Sequence, residues 1–547
     1  MLAVHPLQAQ QAQVSATVNV DFSKPITGVK NLTGFLHGID SKTPSDERIL
    51  PLRPRSWRIG SLSEFDRLRS LGVTHFEHTL SDDYGYGGSN GWPYDDWPRW
   101  EAYIRTKAVH LKSSGIMEGV EFKLDPFNEP NIKMFWKGTF PQYLETYKRA
   151  YLILREVLGP TAMIGGPNES RFLREDIKAF MEFCLANKLE ANYISWHHQR
   201  EVSLDIGSIL SDIQWLRENY VDNPAFAPLK IKEWILNEYA AWSVQYQPAD
   251  ILAHLHYMEK GKVSAANKAC WNSSYQVAPD LDKTPGKRDH CLDHTLDGIL
   301  EHGTQERLSA WFAYEAYGKG DAAKRVESAV TSADAIHQTG KRVFAIPSAA
   351  RVDSSNQAFV IIGNYNIVKG SINWGDMTLN DNSPPTAQVT LKIAGLAALP
   401  FMAGAAQTRV SIHRLVNSEN KVSPGFNLVR EQDVPVVAGS ITLDVGNLGL
   451  HEILGISIRN PALPSNPIGT AISNREGEFP RAGRQVLPAN AMRIRVYALS
   501  GKLVSELPGG KTGLAGLEGF LKNQHDVNIV RFDMPDGKTR ILREARK

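Results

Sequence analysis

Between about Thr33 and Lys319, short runs rich in β-branched and aromatic residues alternate with longer stretches whose apolar positions step by three and four. That alternation is the sequence sign of repeated βα units. In PQYLETYKRAYLILREVLGP the apolar positions Leu144, Tyr147, Tyr151, Leu154 and Leu158 fall on one helical face, Pro141 suits a first turn, and Gly159-Pro160 stops the helix. A short strand, AMIGGP, comes next, then a helical run from Phe172 to Asn187, then NYISWHH, a strand finishing in polar and aromatic groups. Strands alternating with helices, with chemistry where the strands run out, predict an α/β chain built on a (β/α)8 TIM barrel. A doubly wound sheet obeys similar rules, but neither GxGxxG nor GxxxxGK[ST] follows any strand, which leaves a nucleotide-binding version without support.

Beyond about Val343 the texture changes to QAFVIIGNYN, AQVTLKIAGL, TRVSIHRLV and GSITLDVGNL, separated by Gly, Asn, Pro and Ser. Short alternating strands at such spacing predict a β-sandwich. SATVNVDF near the start has the same alternation and is a candidate to join that sheet although it precedes the barrel. A Pro-rich link, NPALPSNP (460–467), opens a third piece. The expected division is a leader over 1–14, a catalytic barrel over 15–340, a sandwich over 341–460 and a small accessory β module over 461–547. No repeat of solenoid or propeller period is visible.

Composition narrows the functions without choosing one. Lys plus Arg number 61 against 59 Asp plus Glu, a net charge of +2, so there is no field to hold a polyanion and nucleic acid is not an expected partner. That balance fits an uncharged or mixed glycan better than a heavily sulfated one. No apolar run approaches the length needed to span a bilayer, so no membrane insertion is expected. The 12 Trp, 17 Tyr and 20 Phe beside 43 Gly lean towards a surface that stacks on flat apolar faces such as sugar rings. Three cysteines, Cys184, Cys270 and Cys291, form neither a CxxC pair nor a zinc-spaced cluster. Cys270 and Cys291 bracket a polar insertion and are either bridged in an oxidising compartment or two free thiols. MLAVHPLQAQQAQ reads either as the tail of a signal peptide behind an added Met or as a leader without a role.

The sharpest chemical feature is Asp125-Pro126-Phe127-Asn128-Glu129-Pro130-Asn131, directly after the strand-like VEFKL. A glutamate preceded by Asn where a barrel strand ends puts a carboxyl at the rim with an amide beside it, and prolines at 126 and 130 end the strand there. A second carboxylate closes the β-rich run in LKIKEWILNEYAAW at Glu238. Glu233, five residues earlier, competes with it but falls on the opposite face of the strand and farther from the rim. Asp82 and Asp83 are candidates for sugar hydroxyls or a cation, or form a solvated turn. No metal-ligand spacing accompanies them.

The stretch NEPNIKMFWKGTFPQYLETYKRAYLILREVLGPTAMIGGP, with NYISWHH, NEYAAW and LSAWFAYEAYG, resembles glycoside hydrolase family 39, which holds β-xylosidases and α-L-iduronidases and belongs to a clan of retaining (β/α)8-barrel glycosidases. HFEHTLSDDYGYG resembles the family's third-strand element. The likeness covers about residues 15 to 460. It implies Glu129 as acid/base after strand four and Glu238 as nucleophile after strand seven. His197, at the end of strand six, resembles a family substrate ligand; Asn128 is a candidate donor to a sugar 2-hydroxyl or a strand-end cap, and Trp271 a candidate sugar platform after strand eight or a core residue. In the third-strand element the family's His aligns with Glu77 when counted from the Asp pair, whereas His78, the candidate ligand, lies one residue on; such a slip reverses which side points inward, so either residue is open to line the site. The family's usual Trp before Asn-Glu-Pro is Phe127 here, and the insertion from Ser273 to Leu292 follows the expected eighth strand.

The resemblance therefore implies a retaining, β-xylosidase-like glycosidase that acts by double displacement on a carbohydrate, without metal or cofactor, and is secreted or periplasmic. Two alternatives stand beside it: an endo-acting hydrolase of a microbial or algal polysaccharide, and a non-catalytic carbohydrate-binding barrel. VYALSGKLVSEL in the last piece also resembles the C-terminal sorting domains of type IX secretion, against a plain accessory module. Of the tryptophans, Trp136, Trp242 and Trp271 are expected near the site. The residues do not indicate an oligomeric state.

Overall fold

The computed structural model describes residues 14–199, 206–241, 244–271, 289–332, 342–354, 356–365, 372–373, 378–379, 386–463, 493–498, 503–508, 528–533 and 539–544. The chain forms two compact units, Met1–Ile472 and Ser473–Lys547. The expected leader, apart from Val14, and most of the 273–292 insertion lie outside the described residues.

The first unit holds two parallel sheets. One runs in the order β2 (Gly34–Leu36), β3 (Ser56–Arg58), β4 (His75–Thr79), β5 (Glu121–Asp125) and β6 (Met163–Ile164); the other in the order β10 (Ala265–Lys268), β9 (Glu233–Tyr239), β8 (Tyr193–His198) and β7 (Gly166–Glu169). Every pairing in both is parallel, with Trp57 opposite Phe76, Leu124 opposite Ile164 and Ile194 opposite Trp234. Helical crossovers make this possible. After the short α1 (Asp46–Ile49), α2 (Phe65–Ser70) links β3 to β4, while α3 (Leu80–Tyr84) and α4 (Trp97–Ser114) link β4 to β5. The later crossovers are α5 (Phe140–Leu158), α6 (Arg174–Ala186), α7 (Ser208–Leu216) and α8 (Pro248–Lys260); α9 (Ser309–Lys319) follows β10.

Helix α5 shows why these residues fold as they do. Thr139 and Gln142 form a capping box, each side chain satisfying the other's backbone N–H. Leu144, Tyr147, Tyr151 and Leu154 are buried against the sheet as their spacing predicts, and Gly159 ends the helix. Close approach explains one glycine: a Cβ at Gly34 would lie 2.0 Å from the Ala266 carbonyl oxygen, so only Gly lets β2 and β10 come together. Beside it, the Ser56 hydroxyl donates to Asn267 Oδ1 at 2.8 Å, tying β3 to β10.

The β-rich part also has two sheets. β1 (Val14–Pro25) pairs antiparallel with β11 (Val326–Ser332) and parallel with β16 (Thr386–Ala394), which pairs with β19 (Ile441–Gly449). The second sheet has the order β12 (Val343–Ser348), β13 (Ala358–Asn364), β20 (Ile453–Arg459), β17 (Gln407–Leu415) and β18 (Asn427–Pro435). A small hairpin joins β14 (Ile372–Asn373) and β15 (Thr378–Leu379). Alternate residues such as Val18, Val20, Leu391 and Leu443 from the first sheet meet Val360, Ile362, Ile412 and Ile456 from the second in one apolar core. The early strand SATVNVDF thus belongs to this layer. So does β11, which starts it ahead of the change in texture near Val343. Phe344, Ile346, Phe359 and Ile361 on the other face of β12 and β13 pack into the core of the helical part, and His451 Nδ1 meets Asp250 at the start of α8 at 2.5 Å.

In the second unit, β21 (Arg493–Ala498), β22 (Leu503–Pro508), β23 (Asn528–Asp533) and β24 (Thr539–Glu544) form an antiparallel sheet in the order β22-β21-β23-β24. Cys270 and Cys291 are joined by a disulfide, while Cys184 is free and buried. No helix among the described residues is long and apolar enough to cross a membrane.

Candidate active site

The C-terminal ends of the parallel strands gather residues whose backbones turn into the left-handed region. His37 (φ 43°) follows β2, Glu129 (φ 43°) follows β5, Asn168 (φ 59°) lies one residue before the end of β7 and Ala240 (φ 71°) follows β9. L-residues adopt this region at a cost, which the surroundings must offset. At Glu129 the offset is visible: its N–H donates to the Asn168 carbonyl at 2.9 Å, and the Ser81 hydroxyl accepts the neighbouring Asn128 N–H at 3.0 Å. The turn after β5 is held from two other strand ends.

Glu129 and Glu238 come together across this face, joined by His197 at the end of β8. His197 Nδ1 is 2.8 Å from Glu129 Oε1 and 3.8 Å from Glu238 Oε2. Its Nε2 lies 2.8 Å from Asn168 Oδ1. The Asn168 amide is oriented by its own contacts, because its NH2 faces the Phe127 carbonyl, which can only accept, at 3.3 Å and Asn128 Oδ1 at 3.3 Å. Its oxygen is therefore left for His197, whose Nε2 must be the protonated nitrogen of the neutral ring. Nδ1 either accepts a proton from Glu129 or carries one towards it. Burial disfavours the imidazolium, but the Glu238 and Glu129 carboxylates outweigh burial and hold His197 above its ordinary pKa.

Glu238 is gripped from the other side. The fully buried Arg58, last residue of β3, puts one guanidinium nitrogen 2.6 Å from Glu238 Oε1 and another 2.8 Å from Asp82 Oδ2. Burial would lower the Arg58 pKa; Asp82 and Glu238 reverse this and keep it charged. Gln199 donates to the second oxygen of Glu238, and Tyr86 donates to Asp82. Glu129, His197 and Glu238 hold ligand atoms within 4.8 Å of one another, a spacing that one divalent ion would fit. Arg58 and Gln199 already occupy both Glu238 oxygens, however, and a second cation would meet the guanidinium head on.

Beneath this layer Asp125 takes hydrogen bonds from Ser195 (2.7 Å), Tyr193 (3.0 Å) and Asn237 (3.0 Å), which binds β5 to β8 and β9. Burial, with Glu77 nearby, pushes its carboxyl up to about 6.

Of the residues expected from sequence, Glu129, Glu238, Asn128 and His197 are assembled in one place. Trp271, half-buried just past β10, donates its indole N–H to the Ala240 carbonyl at 2.9 Å, two residues beyond Glu238. His78 is elsewhere. It shares a strand face with Phe76, its Nδ1 faces the Ile59 carbonyl at 3.5 Å and its Nε2 faces Asp83 at 3.6 Å. The alternation of a strand sends Glu77, one residue earlier, to the inner face beside Asp125 instead. Asp82 and Asp83 are neither a cation site nor a solvated turn: the first pairs with Arg58, the second with Lys107 at 2.6 Å. Trp136, expected near the site, and Phe127 pack on each other in the core at 4.9 Å between ring centres, both about 1% exposed. Trp242 lies outside the described residues. Glu233 pairs with Lys123 at 2.9 Å at the start of β9, away from the site.

Arg58, Asn168 and Gln199 were not singled out from the sequence. Their signal was faint: an Arg closing the apolar run SWR, and polar residues where GGPNE and ISWHHQ run out.

Residues 86–225 match the Glycosyl hydrolases family 39 model. The matched stretch carries the β5 turn with Glu129 and runs through His197. A β-xylosidase from Caldicellulosiruptor saccharolyticus is 32% identical over 107 residues, 19% of this chain and 21% of that one. One from Geobacillus stearothermophilus is 28% identical over 114 residues, 20% and 22% of the two chains. The chain thus spans about a fifth of the length of the curated relatives it matches. Among solved structures, the family 39 enzyme from Xanthomonas axonopodis pv. citri superposes with a TM-score of 0.53 at 13% identity, covering 83% of this chain and 99% of that one. A glucosidase from Croceicoccus marinus gives 0.55 at 17% identity, covering 81% and 99%. These two are likenesses of fold.

Proposed function

We propose that the chain is a retaining glycoside hydrolase, β-xylosidase-like, cleaving O-glycosidic bonds of an oligo- or polysaccharide, on a (β/α)8 barrel with a β-sandwich at its side. Closure of the two parallel sheets into one barrel is supported at both seams. β2 and β3 touch β10 through Gly34 and Ser56, and the Gly165 N–H, between β6 and β7, donates to the Leu124 carbonyl at 3.2 Å.

The function rests above all on the meeting of Glu129 and Glu238. One oxygen of Glu129 and one of Glu238 fall within 4.8 Å of each other, which supports the close carboxyl pair of about 5 to 5.5 Å that retaining enzymes use rather than the wider pair of inversion. In the first step a Glu238 oxygen bonds to the anomeric carbon as the bond to the leaving oxygen breaks, and the leaving oxygen takes the proton of Glu129. In the second, Glu129 removes a proton from water, the water oxygen bonds to the anomeric carbon and Glu238 departs. Water is the sole co-reactant. His197 positions Glu129 through its Nδ1 while its Nε2 stays anchored on Asn168. Arg58, 2.6 Å from one Glu238 oxygen, holds that carboxyl in place. With Oδ1 of Asn128 held by Asn168, its amide hydrogens are left for the sugar 2-hydroxyl, and Trp271 borders the nucleophile as a platform.

Replacing Glu238 with Gly should cut turnover by orders of magnitude, with azide restoring it to give a glycosyl azide of inverted configuration. Unchanged activity in that variant would end the assignment. The Cys270–Cys291 disulfide supports a secreted or periplasmic home, which fractionation of the source cells would test.

A further inference from the structure

On the face that carries the carboxyl pair, a cleft of about 610 Å³ opens one residue past Glu129, between the turn after β5 and the starts of α5 and α6. Pro130 and Asn131 form one edge. Asn131 is locked to the opposite loop by two hydrogen bonds with Ser170, at 2.8 and 3.1 Å, so this edge is rigid. Tyr94 and Phe140 supply flat apolar surface.

The charge of this cleft is lopsided. Lys133, Lys137 and Arg171 line it against a single acidic side chain, Asp176. Among the described residues none of the three cations has a carboxylate within ion-pair distance, though Arg171 feels Asp176 and Glu169 at longer range. Lys137 is instead held over the Trp92 ring at 5.9 Å. Glu169, fully buried between Glu129 and Asp176, does not offset them: burial pushes its carboxyl up to about 9, so it is neutral around pH 7. A chain with a net charge of only +2 thus gathers uncompensated positive charge beside its acid/base.

Glu129 protonates the leaving oxygen, so the chain just past it borders the leaving side of the substrate. We infer that this cleft binds an anionic group, a carboxylate or a sulfate ester, on the leaving portion of an acidic glycan. The inference rests on the proposed glycosidase and names a substrate class for it. The aromatic side chains stack on the sugar ring, and the three cations take the anion.

Calorimetry on the full chain would compare three xylo-oligosaccharides of equal length: neutral, uronate-bearing and sulfate-bearing. At low salt an acidic oligosaccharide should bind about tenfold tighter than the neutral one, and the advantage should vanish both in K133Q/K137Q/R171Q and in about 0.5 M salt. Preference for the uronate or for the sulfate ester identifies the anion. Equal binding of all three by the native chain, or an acidic preference that survives in the triple variant, overturns the inference. Hydrolysis of a small neutral aryl glycoside should be unchanged in that variant. Because binding is read directly, a chain that binds acidic oligosaccharides yet hydrolyses no glycoside would sink the glycosidase reading alone.

Discussion

The two ends of the same parallel strands handle charge in opposite ways. At their N-terminal ends charges are matched between neighbours: Arg55 with Glu121 at 2.8 Å, His75 with Glu121 at 3.3 Å and Lys123 with Glu233 at 2.9 Å. His75, with Arg55 beside it, holds the Glu121 carboxyl well below its ordinary range. At the C-terminal ends three carboxylates, Glu129, Glu238 and Asp82, crowd around one guanidinium and the imidazoles of His197 and His37, on backbone that bends into the left-handed region at four places. One end spends its charges on holding strands together. The other keeps carboxylates close enough to work on a single bond and accepts a less comfortable fold to do so.

The strongest challenge to this contrast is Arg58→Met. It leaves Glu238 and Asp82 buried without their cation, and should cost about 3 to 5 kcal/mol of stability by denaturant titration. Turnover on an aryl glycoside should fall about a hundredfold or more as the nucleophile loses its aim. A variant of native stability and turnover would show that the top of the sheet is held by something else.

Asp125 lies between the two ends and should give an effect of intermediate size. Its pKa rises on folding from an ordinary 3.8 to about 6, so the folded state binds this proton more tightly. The associated stability is full below about pH 4 and is lost as pH rises through 6, amounting to at most about 3 kcal/mol. Asp125→Asn removes the titration. Its stability deficit against the native chain should therefore shrink between pH 4 and pH 7, and a deficit constant with pH would contradict the raised pKa.

The smallest effect belongs to the N-terminal ends. Lys123→Met should cost about 2 kcal/mol through the loss of a charged hydrogen bond to Glu233, with kcat unchanged. A large fall in kcat would mean that the division of labour between the ends is wrong.

The helices and parallel strands were legible because burial writes itself as a period: Leu144, Tyr147, Tyr151 and Leu154 in α5 could be read directly. Glu129 and Glu238 were legible because each ends a strand, and strand ends are where this arrangement puts its chemistry. What could not be read was the direction of individual side chains. His78 and Glu77 differ by one residue, and only the register of β4 against β3 and β5 decides which faces inward. Trp136 was expected near the site because composition cannot tell a ring packed on other rings from one facing a ligand. Arg58 and Asn168 escaped because their partners lie on other strands, far away in sequence. The start of the β-rich layer at β11 was hidden for the same reason: nothing local in VESAVTS names β1 as its neighbour.

Strand β1 imposes an order on how the molecule is made. It is synthesised before the parallel strands, yet Ala16 faces Ser332 and Val14 faces Ala387. Through the synthesis of all the catalytic strands it is an apolar ribbon without neighbours, able to pair with another chain. The layer that buttresses the helices is completed only when β11 and β16 arrive and take it in. The pairing of β1 with β11 then fastens the two ends of the parallel-strand region together, as a drawstring closes a bag.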